Sequence, residues 1–199
     1  MRITRIETLG FRNAMLGMRF PKNSDGKSDS SAAGIGPADL SLLLRLTKAG
    51  RDHRKALRMI HVQAAVEMPM SWWIQYDTYK VATVANSRSR MHKMGSRLLT
   101  EKDFFVAEWN RRMINTLFYL NGLIKVWQSG RDRVVWQQIL DALPMSYQQE
   151  RMLDLNYETL VAILSSRYSE KLFIEWRFFC DAFLGSCPHL REIWEASKG

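Results

Sequence analysis

Residues 62–69 read VQAAVEMP, and this short stretch decides the fold class. Val62, Ala64, Val66 and Met68 stand at every second position, and Pro69 closes the run. Such alternation is typical of a half-buried β-strand. Residues 1–9 carry Ile3 and Ile6 with β-branched Thr neighbours and predict a second strand. The N-terminal half is therefore expected to supply a small sheet.

The rest of the chain shows helical periodicity. Asp39 is a plausible N-cap for a helix that Gly50 ends. Apolar residues three or four positions apart predict further helices over 51–60, 101–128, 132–143, 154–166 and 169–185. The expected fold class is α+β, with a small mixed or antiparallel sheet packed against a predominantly helical C-terminal half.

Residues 1–199 are expected to form a single domain. The length suits one hydrophobic core, and 46% of the residues are hydrophobic, which excludes a wholly disordered chain. Residues 21–38, rich in Ser, Gly, Asp and Pro, predict a flexible loop. Because there is no long apolar run and no signal-peptide pattern, we expect a cytoplasmic protein without a membrane partner.

The formal charge of +9 is concentrated near the N-terminus. Residues 1–60 contain 12 basic and 5 acidic side chains. A positive surface of this kind suits a polyanion, either nucleic acid or a phosphorylated small molecule, although many basic proteins are merely soluble. The two cysteines and four histidines lack metal-ligand spacing, so we predict no metal site.

Arg167 is the first candidate site residue. It follows Leu160, Ile163 and Leu164 at helical spacing, so a continuing helix would place its guanidinium on the apolar face. One interpretation is an arginine that snorkels or pairs with Glu170 or Glu175. The other is a partly buried arginine that binds a carboxylate, a phosphate or a pyrimidine edge.

Residues 83–94, TVANSRSRMHKM, form the second candidate. Small polar side chains stand beside four potential cations, Arg88, Arg90, His92 and Lys93. Such a stretch can cradle a phosphate, or it can be a solvated charged face. The aromatic block from Trp72 to Tyr79 just before it suits either a stacked base or the core.

The order and spacing of several residues resemble the flavin-dependent thymidylate synthases, which methylate dUMP with folate, FAD and NADPH. His53 stands sixteen residues before Pro69, and Gln75 follows Pro69 by six. The residues that continue the resemblance are Asn86 and Ser89, Leu143-Pro144, Asn156, Arg167 eleven residues later, Glu175 and Arg177, and Cys187-Pro188.

The resemblance implies the family fold, a homotetramer with sites between subunits, and a role for each matching residue. Arg167 would be the catalytic residue that polarises the uracil, while reduced FAD supplies the hydride. The matching residues expected to bind a pyrimidine nucleotide are Gln75, Ser89 and Arg167, and Arg88 and Arg90 are expected to join them as replacements for cations that the family has elsewhere. Those expected to bind the cofactor are His53, Lys80, Asn86 and Asn156.

Departures from the family pattern fall on cationic positions. Thr78-Tyr79-Lys80 stands where the family has Arg-His-Arg, and Ser87 and Met91 replace a Glu and an Arg beside Ser89. Leu140 and Glu158 replace two further arginines. Each lost charge-assisted phosphate contact costs about 1.5–3 kcal/mol. The missing arginines therefore argue against methyl transfer more strongly than against the fold.

These observations predict a divergent protein of thymidylate synthase type that binds a dUMP-like nucleotide and FAD. The alternative is a non-enzymatic, phage-encoded or regulatory protein that uses the same scaffold to sequester a nucleotide or to bind nucleic acid or another protein. A third interpretation is a structural relic without a ligand.

Overall fold

The computed structural model describes residues 1–89, 94–168 and 173–199. Its four strands are β1 (Arg2–Leu9), β2 (His61–Pro69), β3 (Thr83–Ser87) and β4 (Gln148–Asn156). They form one antiparallel sheet in the order β1-β2-β4-β3. The predicted α+β class and the strand over residues 62–69 are both confirmed.

Helices make up most of the remaining described chain. They are α1 (Phe11–Arg19), α2 (Pro37–Lys48), α3 (Met70–Tyr76), α4 (Arg111–Gly130), α5 (Arg133–Ala142), α6 (Tyr157–Arg167), α7 (Phe173–Ser186) and α8 (Leu190–Ala196). None of the helices in the described ranges is long and apolar enough to cross a membrane.

The expectation that only the N-terminal half supplies strands was wrong. β4 comes from the C-terminal half and lies between β2 and β3. Its sequence, QQERMLDLN, buries only Leu153 and Leu155 as apolar residues, and polar side chains surround them. Too few apolar positions alternate for the two-residue period to stand out.

Three helix predictions also need correction. Residues 104–110 are not helical, and α4 begins only at Arg111, because the Asn110 side chain caps it by accepting from the Met113 N–H at 3.1 Å. The segment 51–60 contains only the short 3₁₀ turn Lys55–Arg58. The helix predicted from residue 154 begins at Tyr157, where β4 has just ended.

The described chain divides into two compact units, and the first consists of residues 1–2, 67–77 and 87–151. Its core is built by the α4–α5 hairpin, where Leu120, Ile124 and Ile139 are fully buried. Arg131, in the left-handed conformation, ends α4, and Asp132 caps α5 by accepting from the Val134 N–H at 2.7 Å.

The second unit consists of residues 3–66, 78–86 and 152–199. The apolar face of β2 and helices α6–α8 form its core, with Val62, Leu160 and Phe183 fully buried. Tyr157 donates to the Pro188 carbonyl at 2.8 Å and so joins α6 to the segment before α8. The single-domain interpretation of residues 1–199 stays a prediction.

Asp39 organises the segment before α2. The predicted N-cap role was wrong, because α2 begins at Pro37 with Gly36 as its N-cap, and Asp39 lies inside the helix and is fully buried. Its carboxylate accepts hydrogen bonds from Arg19 Nε, from Ser28 Oγ at 2.6 Å and from Ser30 Oγ at 2.6 Å. The loop over 21–38 is thus anchored at residues 28–30, and its flexibility stays a prediction.

Two opposing effects set the pKa of Asp39. Burial raises the pKa, whereas hydrogen bonds from Ser28, Ser30 and Arg19, together with the charge of Arg19, lower it, and the net pKa lies below the ordinary value of an aspartate. A carboxyl whose pKa is lowered by folding stabilises the protein above its unfolded-state pKa and loses that contribution as the pH falls through its folded-state pKa.

We expect Asp39→Asn to lower the free energy of unfolding at pH 7 by about 3 kcal/mol, because it leaves the buried Arg19 without its counter-charge. Urea denaturation followed by circular dichroism measures the loss. Asp25→Asn is the matched control, since Asp25 is exposed in the same loop. Stability of the Asp39→Asn variant should also fall less than that of the parent as the pH drops below about 4. Equal losses in both variants would contradict the anchoring role of Asp39.

Candidate functional site

A cavity of about 470 Å³ in the second unit brings together two of the residues predicted to bind the cofactor, Lys80 and Asn156. We call it the Asn156 cavity. Its walls come from the segment after α3, from the start of α6 and from two arginines. The lining residues are Arg51, Arg58, Thr78, Tyr79, Lys80, Val81, Ala82, Asn156, Glu158, Thr159 and Ala162.

Asn156 is fixed by the junction between β4 and α6. Its side-chain oxygen accepts from the Thr159 N–H at 3.0 Å, which caps the helix, and its Nδ2 donates to the Arg58 carbonyl at 3.4 Å. The residue is 4% exposed. A capping asparagine typically stabilises a helix by about 1 kcal/mol. Asn156 therefore has a structural role on the cavity wall that is independent of any ligand.

The acidic residue Glu158 does not make this cavity negative. Arg54 holds its carboxylate in a two-pronged pair, with Nε 2.9 Å from Oε2 and one terminal nitrogen 3.0 Å from Oε1. Arg51 approaches the same carboxylate at 3.5 Å. Planar pairs of this kind are the strongest that arginine forms. The negative charge at position 158 is therefore already neutralised.

Two further cations face the Asn156 cavity without a carboxylate. Within the described residues, Arg58 and Lys80 form no ion pair, and both are exposed. Together with Arg51 they leave the cavity with an excess of positive charge. An anionic group such as a phosphate would be attracted to this wall.

Arg167 is held by aromatic residues at the end of α6. Its Nε donates to the Tyr79 hydroxyl at 2.8 Å. Its guanidinium carbon lies 5.6 Å from the centroid of the Tyr79 ring and 5.3 Å from that of Trp176, within the range of cation–π attraction. Tyr79 also lines the Asn156 cavity. Arg167 is half-buried, which agrees with the second of the two interpretations that its helical spacing left open.

Ser89 and Arg88 lie on a different cavity, of about 330 Å³, in the first unit. Arg88 forms a close ion pair with Glu150, and Arg2 lies 3.4 Å from the same carboxylate. A ligand would have to compete with Glu150 for the Arg88 guanidinium. The predicted role of Arg88 in nucleotide binding stays a prediction, as does that of Ser89.

The remaining predicted site residues are dispersed. Gln75 is half-buried on α3 in the first unit, and Asn86 is exposed on β3 in the second. His53 is exposed and lines a third cavity, which belongs to the second unit. Arg90 lies outside the described residues. Among the described residues, no group of three His, Cys, Asp or Glu side chains could hold a metal ion.

Sequence reasoning did not single out the partners of the predicted residues. Tyr79 and Trp176 contact the Arg167 guanidinium. Arg54 and Arg58 belong to a segment that was interpreted only as a short helix. The four basic residues among positions 51–58 were the available signal. What they face becomes visible only when α6 packs beside them.

Comparison with solved structures gives the chain a known architecture. It superposes on flavin-dependent thymidylate synthase ThyX from Helicobacter pylori complexed with FAD and dUMP, with a TM-score of 0.79 and 16% identity. The match covers 98% of this chain and 99% of that one. The chain has the fold of flavin-dependent thymidylate synthase.

A more distant structure shares the thymidylate synthase fold. The UMP/dUMP methylase PolB from Streptomyces cacaoi, bound with 5-Br dUMP, matches with a TM-score of 0.66 and 13% identity, over 99% of this chain and 95% of that one. No model of a known protein family matches the sequence, and no curated protein sequence matches it either. At identities of 16% and 13%, these similarities establish the fold of the chain and nothing further.

The two arginines on Glu158 should differ sharply in their contribution to stability. Arg54→Met removes a buried two-pronged partner and leaves Glu158 poorly compensated, so we expect a loss of about 3 kcal/mol in the free energy of unfolding. Arg51→Met removes an exposed partner of the same carboxylate, and its loss should stay below about 1 kcal/mol. Urea denaturation measures both, and similar losses would contradict the assignment of Arg54 as the principal counter-charge.

Proposed function

We propose that this chain binds a pyrimidine nucleotide of the dUMP type together with FAD, on the thymidylate synthase fold. The observation that carries the proposal is the meeting of Lys80, Asn156 and the Arg167 partner Tyr79 on one basic cavity. The Helicobacter pylori enzyme, which was solved with both FAD and dUMP, supports the choice of ligands.

The residues of the Asn156 cavity are chemically compatible with part of FAD. Arg58 and Lys80 can pair with the pyrophosphate, and the Arg54 guanidinium removes the repulsion that Glu158 would otherwise exert. The cavity volume lies within the range of about 300–1,000 Å³ that is usual for ligand sites. When bound, a flavin supplies hydride chemistry that amino acid side chains lack.

Arg167 is assigned the role of polarising the nucleotide. A guanidinium has five N–H donors, and within the part of the chain that the structure describes the Tyr79 hydroxyl engages only the one on Nε. The donors on the two terminal nitrogens can face a pyrimidine carbonyl or a phosphate. Positive charge held beside a reacting ring stabilises the negative charge that develops on it.

The other assignments follow the family pattern, except that Arg88 and Arg90 would replace cations that the pattern has at other positions. Gln75, Ser89, Arg88 and Arg90 are proposed to contact the nucleotide, and His53 and Asn86 join Lys80 and Asn156 at the cofactor. Within one protomer, His53 and Asn156 line two different cavities of the second unit. A homotetramer is therefore part of the proposal, because neighbouring protomers can combine such surfaces into one site.

Ligand binding is tested directly on the purified chain. We expect dUMP to raise the free energy of unfolding by about 2.7 kcal/mol at a concentration one hundred times its Kd. Incubation with FAD followed by gel filtration should leave a flavin absorbance between about 350 and 500 nm. A chain that retains no flavin and whose melting temperature is indifferent to dUMP would refute the proposal.

The same titrations on variants locate the site, as part of that test. Arg167→Gln should weaken dUMP binding by about tenfold or more, which corresponds to the loss of a charge-assisted hydrogen bond. Arg191→Gln is the control, because Arg191 is exposed on α8 and lines none of the three cavities described above. Equal affinities in the two variants would place the nucleotide away from Arg167.

Tyr79 is proposed as a positioning residue for Arg167. Tyr79→Phe keeps the ring and removes the hydroxyl that accepts from Nε, so we expect dUMP affinity to fall about fivefold, as expected for one hydrogen bond. The melting temperature without ligand should change little, because Tyr79 is only half-buried. Loss of stability without loss of affinity would show a purely structural role instead.

A further inference from the structure

A third cavity, which we call the Leu46 cavity, lies in the second unit and has a volume of about 570 Å³. It is bounded by the end of α1 and the turn after it, by the C-terminal half of α2, and by the segment 52–59. It shares no lining residue with the Asn156 cavity. The nucleotide proposal leaves it unused except for His53.

The inner surface of the Leu46 cavity is aliphatic. Met18, Leu42 and Leu46 project from the two helices, and Met59 closes the opposite side. Met59 remains 47% exposed, so part of its apolar surface is still in contact with water. The only aromatic ring on the described lining is the imidazole of His53. Flexible thioether and isobutyl groups accommodate an alkyl chain, and each methylene that they cover is removed from water, which favours binding.

Three cations surround this aliphatic surface. Lys22 comes from the turn after α1, Arg45 from α2 and Lys55 from the segment 52–59. None of the three forms an ion pair with any residue in the described ranges, and Asp52 is the one carboxylate that the described lining contributes beside them. The charge of the fourth cation, Arg19, is already neutralised by Asp39.

We propose that the Leu46 cavity is a binding site for an amphipathic anion, with a short alkyl chain against the Met and Leu side chains and a phosphate or carboxylate near Arg45, Lys22 and Lys55. Neither half of the lining suffices alone. An apolar surface without charge would select any hydrophobe, and exposed cations without an apolar surface would bind small anions weakly and non-selectively. Their combination on one concave surface selects molecules that carry both features.

The walls that present these groups are held by buried contacts. The Arg19–Asp39 pair joins the end of α1 to the start of α2, and Ala56 and Leu57 anchor the segment 52–59 in the core. A site whose walls are fixed before binding loses less conformational entropy when the ligand arrives. The ligand would therefore enter without a rearrangement of the helices.

Isothermal calorimetry with octyl phosphate as the probe tests the site on the full chain. We expect saturable binding of one molecule per chain, at concentrations below its micelle formation. Arg45→Glu should weaken binding at least fivefold. Lys48→Glu is the matched control, because Lys48 is exposed near the end of the same helix, receives the same charge change and does not line the cavity. Its affinity should stay within twofold of the parent.

Further arms separate the chemical requirements. Leu46→Trp, which fills the cavity, should abolish binding while the melting temperature shows that the chain still folds. Inorganic phosphate and octanol, each carrying half of the ligand, should bind at least tenfold more weakly than octyl phosphate. Octanoate should bind with an affinity similar to that of octyl phosphate. In contrast, 1-naphthyl phosphate, which has a rigid ring in place of the alkyl chain, should bind more weakly than octyl phosphate.

Several results would overturn the inference. Equal effects of Arg45→Glu and Lys48→Glu would mean that the probe senses only overall charge. Unchanged binding to Leu46→Trp would place it elsewhere on the surface. Displacement of octyl phosphate by FAD or dUMP would make the cavity part of the nucleotide site. Failure of dUMP and FAD to bind at all leaves the octyl phosphate result intact, so the two proposals fail separately.

Discussion

The pairing of β2 with β4 is the constraint on which the rest of the second unit depends. It brings a strand from the C-terminal half of the chain against one from the N-terminal half, and the Tyr157 N–H donates to the Ile60 carbonyl at 3.0 Å where the two strands meet their flanking segments. Because β4 leads directly into α6, this pairing fixes where α6 begins. Asn156, the Arg58 carbonyl and Glu158 take their places around that junction. Unpaired backbone groups would be costly there, so the register is strongly determined.

This junction also explains why the Asn156 cavity is positively charged although Glu158 lies on its wall. Glu158 stands where an arginine was expected, which by itself would reverse the local charge. Arg54 and Arg51 lie against its carboxylate and neutralise it. Within the described residues, Arg58 and Lys80 form no ion pair and keep their positive charge uncompensated on the same cavity. A buried pair of this type contributes little net stability but is expensive to break. Because Arg54 neutralises Glu158 and is itself buried, the charge of the Asn156 cavity depends on the integrity of the fold around it.

The sequence predicted what depends on local periodicity and missed what depends on long-range pairing. The strand over 62–69 and the inward position of Arg167 were visible because apolar side chains recur at two or at three to four residues. β4 was missed because its burial is shared among Gln149, Asn156 and only two leucines. Asp39 looked like an N-cap by residue type, but the proline two positions earlier starts the helix and the carboxylate turns inward to Arg19. Partners more than a hundred residues apart, such as Arg54 and Glu158, have no signature in a single sequence.

A TM-score of 0.79 at an identity of 16% shows that this fold can be formed by very different sequences. Many different side chains can satisfy the requirements of backbone pairing, helix capping and an apolar interior. These features therefore tolerate almost complete replacement of the sequence. Ligand contacts are less forgiving, because a guanidinium that binds a phosphate must have both its charge and its planar donor geometry. In this chain the backbone architecture matches over 98% of its length, whereas several positions at which the family resemblance predicts an arginine carry other residues. Among the described residues, Arg58 and Lys80 place positive charge without a carboxylate partner on the concave wall of the Asn156 cavity. This arrangement of charge, rather than the likeness of the backbone, is the physical reason for proposing that an anion binds there.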